Sequence, residues 1–396
     1  MEGAAAVIRR FFALGLLVAS AGACSNDARS GGAVADDFPS LRPALEAPGH
    51  LVGYVANRSS DSISVLDLDQ MTVVGTAPVG IDPVDIDGPR HVSLDPAAGL
   101  AYVVVDYPQD QVGPHEEVAG ISQRSSYLLA LALADLRLLG QLRLEPRAEE
   151  LALSADGAHL AVTHDDTLLA LQSVPVEQRR ASLDLINQPA SLVSGPLPSR
   201  QVKVCVAPTS VVYSPDASRA YVACSGEDTL AVVDTTAGAV LASVPAGTAN
   251  VNKPYAVVAD PTGQALLLSN QVSRAAVLFS AQDTPAVLAS FTLSGVPMFG
   301  TWISSDRIVV AEQTPNGVLL VSQSAGAVLQ EVFYADSDCL NPSEVRPSSD
   351  GRLFLVCEGD HYSVPGAVVQ LDPATLAIVA TVAVGIYPDR LALLPP

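Results

Sequence analysis

A proline recurs along this chain in one fixed local setting, and the interval between its copies is what most limits the fold. The copies begin at Pro89 (PRHVSLDP), Pro208 (PTSVVYSPD), Pro254 (PYAVVADPTG), Pro297 (PMFGTWISSD), Pro342 (PSEVRPSSDG) and Pro388 (PDRLALLPP). Ala148 (AEELALSADG) holds the same place between the first two. Successive starts lie 59, 60, 46, 43, 45 and 46 residues apart. A self-similar period of about 45 residues, each copy ending in turn residues, is the mark of a stacked repeat.

Residues 208–247 show what one copy contains. Four short apolar runs, at 211–214, 220–223, 229–233 and 240–244, are split by the turn sequences PDAS, GED and TTAG. Such a meander cannot bury both faces alone, so copies must stack, and the period is that of a four-stranded propeller blade. The first blade offers runs at 51–56, 62–66 and 73–79 but no first strand. Residues 389–394, at the far end of the chain, are in register to supply it. The expectation is an all-β fold over residues 50–396: a seven-bladed β-propeller of four-stranded antiparallel blades, closed by the C-terminal strand joining the N-terminal blade. Two long insertions interrupt it, at 107–126 and 174–199, and the second leaves the outer strands of the third blade without a readable pattern.

The strings YVANRSSDSISVLDL and YVACSGEDTLAVVD, with the SPD and SSDGR turns, resemble the YVTN-type β-propeller repeats of bacterial surface and periplasmic proteins. The resemblance covers nearly everything after residue 50. It implies shared blades without a shared active site. Propellers similar to these repeats include lactonases and the large subunits of quinoprotein amine dehydrogenases, which supplies an enzymatic or redox alternative.

The start of the chain reads as an address. Arg9 and Arg10 precede an apolar run over 11–18 that is too short to span a bilayer and ends in Ala19-Ser20-Ala21-Gly22-Ala23-Cys24. Residues 1–23 are therefore expected to be a signal peptide. AGA fits plain cleavage after Ala23, whereas AGAC resembles a bacterial lipobox with Ala21 where Leu is usual. Five cysteines leave one over, and lipidation of Cys24 would account for it. Serine after Cys24 then implies, by the same resemblance, the outer membrane. Residues 24–49 read as a flexible lipoprotein tether. The formal charge of −21 repels nucleic acid and anionic lipid headgroups, which excludes both as partners.

The other four cysteines sit at equivalent places in the repeat. Cys205 and Cys339 each stand three residues before an anchoring proline; Cys224 and Cys357 each end the second strand that follows. The start of a first strand lies beside the end of its antiparallel neighbour. Disulfides Cys205–Cys224 and Cys339–Cys357 follow from that geometry.

Loops entering first strands and leaving second strands share one face of a propeller. Two residues after each anchor stand Arg390, His91, Glu150, Ser210, Ala256, Phe299 and Glu344, with the charges gathered in blades 7, 1, 2 and 3. His115, His164 and His361 fall on the same face, near Glu116, Glu117, Asp165, Asp166, Glu358 and Asp360. These residues are the expected binding rim. No cofactor motif is present, and this His/acid sector is the one place where a zinc, copper or iron ion could find ligands, although no fixed ligand spacing marks it. Asp82, Asp85 and Asp87 lack the rest of a calcium loop and read as a turn. There is no GxSxG elbow, P-loop, CxxCH or HExxH. The expectation is an exported, lipid-anchored, non-enzymatic binding or scaffold module for a protein or glycan of the cell envelope. The alternatives are a propeller enzyme or redox partner, or a metal-binding protein using that sector.

Overall fold

The computed structural model describes residues 45, 47–80, 88–106, 125–195 and 197–396, together with the backbone of 32–33. The signal peptide, Cys24, His115, Glu116, Glu117, Asp82, Asp85, Asp87 and most of the long insertion after Asp106 lie outside the described residues. No helix among the described residues is long and apolar enough to cross a membrane.

The chain is all-β and built of four-stranded antiparallel meanders. The first sheet in chain order runs Pro388–Leu394, Val52–Asn57, Ser62–Asp67, Thr72–Pro78, so the C-terminal strand pairs with the N-terminal one, Val52 opposite Leu394 and Asn57 opposite Pro388. The second runs Pro89–Asp95, Leu100–Val105, Ser126–Ala132, Leu138–Leu144, with the short Gly32–Ala33 strand added at its outer edge. The next three begin at Ala148, Pro208 and Pro254. The last two, beginning at Val296 and Pro342, are joined by one parallel pairing of Phe299 with Glu344.

The third sheet contains the strands that resisted reading. They are Ala181–Asn187 and Ser199–Cys205, separated by a 3-10 turn over Pro189–Val193. Helical single turns at Thr167–Ala170 and Val176–Arg179 fill the insertion before them. These turns offset the strands from the usual 45-residue spacing, which hid a plain alternation in ASLDLIN.

Strand composition follows from position. Second strands are buried on both faces and read as unbroken apolar runs, such as Leu100–Val105 (LAYVVV), whereas outer strands such as Ala239–Pro245 are largely exposed. Alternate residues of one strand feed different cores. Tyr54 packs with Val92, Val103 and Leu129 of the second sheet, while its neighbour Val55 packs with Phe354, Val356 and Val368 of the last. Further cores of this kind lie between the other consecutive sheets. Leu45 is buried in the core between the first and second sheets, with Ala47 against it. The ordered domain thus takes in the last residues of the expected tether, because an apolar side chain there finds a core to enter.

Both disulfides form as the repeat geometry implied, Cys205–Cys224 and Cys339–Cys357, with Cα atoms 5.9 and 5.2 Å apart. Cys205 ends the outer strand of the third sheet and Cys224 ends the second strand of the fourth, so this bond staples consecutive sheets. Such bonds persist in oxidising compartments. Replacing both Cys205 and Cys224 with serine is expected to cost about 3 kcal/mol of unfolding free energy, the chain-entropy value for a loop of this size. Urea titration of oxidised wild type, reduced wild type and the variant measures it; reduction should move the wild type toward the variant.

Candidate site on the sheet axis

The first strands of consecutive sheets lie side by side, and in the last two the residues two places after the anchors pair, Phe299 with Glu344. This follows from a shared irregularity. In nearly every sheet, pairing of the first with the second strand shifts after the anchoring residue, as between Pro89 and His91, Pro208 and Ser210, and Pro342 and Glu344.

His91, Glu150, Glu344 and Arg390, expected at an exposed rim, are each no more than 6% exposed. Arg390 is the hub. Its guanidinium lies 3.5 Å from the centroid of Phe299, and its Nη1 donates to Asp389 Oδ1 at 2.7 Å. Tyr255 meets Phe299 edge-on, ring centroids 5.5 Å apart. Glu344 accepts the Leu391 amide at 2.9 Å and pairs with Arg346, also at 2.9 Å. His91 Nδ1 stands 3.9 Å from Glu150 Oε1, beyond hydrogen-bond reach.

Burial sets the protonation of this group. It pushes the Glu150 carboxyl up to about 8, against the opposing pull of Arg390 and the Ser210 hydroxyl. Burial, helped by the positive charges of Arg390 and Arg346, drives His91 well below its usual value, so the imidazole is neutral. Burial also opposes the Arg390 charge, but Asp389, Glu150 and Glu344 more than offset it. His91 Nδ1, Glu150 Oε2 and Arg390 Nε have no hydrogen-bond partner in the protein. Buried polar atoms left in this state are uncommon and expensive.

A raised Glu150 pKa has a sign. The native state binds the proton more tightly than the unfolded chain, so between about pH 4.5 and 8 stability falls as pH rises. Glu150→Gln is expected to flatten that decline by roughly a few kcal/mol across the window. Glu312, pushed up to about 7 chiefly by burial, slopes in the same direction. The measurement is therefore the difference between wild-type and variant denaturation midpoints over the pH series.

Among the described residues, His164 and His361 have partners away from the axial cluster. His164 is buried, its Nε2 3.0 Å from Asp184 Oδ2 and its Nδ1 3.1 Å from the Pro146 carbonyl. That bond ties the second strand of the third sheet to its third, a structural role. His361 bonds Glu358 at 2.7 Å and stacks on Tyr387, ring centroids 3.8 Å apart. The described histidines of the expected sector thus have separate partners instead of a common ligand sphere. The ligand-competent cluster among the described residues is His50, Asp67 and Asp69, which sequence reading passed over. Its carboxylates are engaged: Asp67 holds His50 and the amides of Asp69 and Gln70, while Asp69 holds Arg352 and the Leu51 amide. It clasps the first sheet to the last.

Neither a family model nor a curated protein sequence matches the chain. Solved structures do match in fold. The periplasmic gluconolactonase PpgL of Pseudomonas aeruginosa aligns with a TM-score of 0.61 at 17% identity, over 87% of this chain and 100% of its own. A putative 6-phosphogluconolactonase from Bacteroides fragilis aligns at 0.59 and 11%, over 88% and 98%. The dihydro-heme d1 dehydrogenase NirN, solved in complex with DHE, aligns at 0.57 and 15%, over 89% and 77%. The chain has their β-propeller architecture. At such identities the likeness is to the fold.

Proposed function

We propose that this chain is an exported seven-bladed propeller, closed by its C-terminal strand, that binds a small polyhydroxylated acid or its lactone on the axis. The observation carrying the reading is the set of buried, unpartnered polar atoms on His91, Glu150 and Arg390. Around them stand an aromatic wall, Phe299 and Tyr255, and a second arginine, Arg346. A few convergent polar groups against an apolar wall is the usual make-up of a small-molecule site. Cores between consecutive sheets and the pairing of Pro388–Leu394 with Val52–Asn57 support seven blades and closure.

Calorimetric titration with D-gluconate and D-glucono-1,5-lactone tests the reading. His91→Gln is expected to weaken binding ~10-fold or more, the cost of losing a buried polar contact. Failure of both probes to bind, or equal binding to the variant, overturns it.

One observation favours a second reading, catalysis. A neutral imidazole and a carboxyl that titrates near neutrality face one another 3.9 Å apart, the pairing that general acid–base chemistry uses. Lactone hydrolysis followed by acid release, and abolished in Glu150→Gln, would establish it. Export rests on the leader and the disulfides, and anchoring on Cys24. Cys24→Ser is expected to shift the protein from the membrane to the soluble fraction; a soluble wild type removes the anchor. An anchored propeller also leaves its outer rim free to meet an envelope protein or glycan.

A further inference from the structure

Above the axial cluster, where first strands begin and second strands end, cations gather in a protein whose formal charge is −21. Arg58 follows the second strand of the first sheet, Arg90 lies at the start of Pro89–Asp95, and Arg147 and Lys253 each immediately precede a first strand. Their carboxylate neighbours are Asp106, Glu149, Asp165 and Asp389, the last acting on both Arg58 and Arg90.

These carboxylates do not saturate them. Arg90, 4% exposed, bonds Glu149 through Nη1, yet its Nε stands 3.8 Å from Asp106 and has no hydrogen-bond partner. Arg147 Nη1 is 3.7 Å from the same Asp106 oxygen, which is itself unpartnered. Among the described residues Arg58 bonds the Tyr387 hydroxyl, at 3.4 Å, with its guanidinium 5.2 Å from that ring's centroid. Burial and the like charges of Arg58 and Arg147 all oppose the charge on Arg90. Burial likewise pushes the Asp165 carboxyl up, against the pull of Arg90, Arg147 and Lys253.

The backbone places the cations. In six of the seven sheets the residue just before the first strand is left-handed, with φ of 65° at Arg147, 51° at Ala207, 54° at Lys253, 54° at Asn341, 56° at Tyr387 and 60° at Gly88. At two of these equivalent places the side chain is a long cation.

We infer that this mouth holds an oxyanion, a carboxylate or phosphate group of the bound molecule, between Arg58, Arg90 and Arg147, with Lys253 at the outer lip. For what the anion is attached to, the inference rests on the axial reading above. Arginine forks suit planar or tetrahedral oxyanions, and an anion would complete the bonds that Asp106 stands too far away to make.

Calorimetry with inorganic phosphate and with acetate, at constant ionic strength, tests it on the mature domain. Arg58→Gln/Arg147→Gln is expected to weaken the better-bound probe ~10-fold or more, as loss of charge-assisted bonds should. Lys253→Gln, at an exposed site that cannot unfold the protein, should weaken it ~2–3-fold. Preference for phosphate or for acetate assigns the group. Neutral D-glucono-1,5-lactone should bind the double variant as it binds wild type, and this arm separates the mouth from the axis. Loss of lactone binding in His91→Gln concerns the axial reading alone. No binding of either anion to wild type, or unchanged binding in both variants, overturns the mouth site.

Discussion

Deleting residues 388–396 is expected to leave a chain that does not reach the native state. The segment supplies a whole strand to the first sheet, pairing along Val52–Asn57, every residue of which is buried. It also lies beside the first strands that begin at Pro89 and Pro342, so its loss opens three sheets at once. Leu391 is fully buried, Arg390 is the hub of the axis, and the Leu391 amide satisfies Glu344. An unpaired, apolar edge facing water would remain. These losses together exceed the roughly 5–15 kcal/mol that holds a typical domain. Circular dichroism and dye binding by the truncated protein would report it. A synthetic peptide spanning 387–396, added in trans, should restore part of the native signal. Removing only the exposed Pro395 and Pro396 should change nothing measurable. A wild-type urea midpoint in the nine-residue deletion would contradict the closure described above.

Arg390→Ala should be the most damaging single substitution at the axis, by about 3–5 kcal/mol, the usual result of breaking a buried ion pair from one side. Asp389 would lose its 2.7 Å partner, Phe299 its cation, and Glu150 and Glu344 a positive charge that offsets their burial. Urea denaturation at pH 9, above the Glu150 titration, measures the loss. Part of the deficit should return in the double variant with Glu150→Gln, because a carboxyl that no longer titrates needs no counter-charge. Strict additivity of the two substitutions would mean that Arg390 and Glu150 do not act on each other.

How far sequence alone reached depended on whether a residue's role was local or relayed. The anchoring proline recurs because each sheet starts in the same way, so the anchors of the fourth to seventh sheets fall within a residue of where their first strands begin. The same register marked His91, Glu150, Glu344 and Arg390 as neighbours, but not that their side chains turn inward and are buried. That outcome depends on the shifted pairing after each anchor. His164 looked like a ligand until Asp184 appeared beside it, and Asp184 lies in a strand that could not be placed. Arg58 and Tyr387 went unremarked because their meeting joins residues 329 positions apart in the chain. No periodicity carries such a contact; the pairing of the C-terminal strand with Val52–Asn57 creates it.

One side chain per sheet reaches each layer of the axis, while the cores between sheets are built from other positions on the same strands. The apolar cores are thereby kept apart from the residues that carry charge to the axis. In the fifth sheet the inward place is held by Ala256, a small side chain among larger ones. On the binding proposed for the axis, a descendant of this sequence could alter its choice of guest by exchanging that one residue, and the surrounding scaffold would have little to renegotiate.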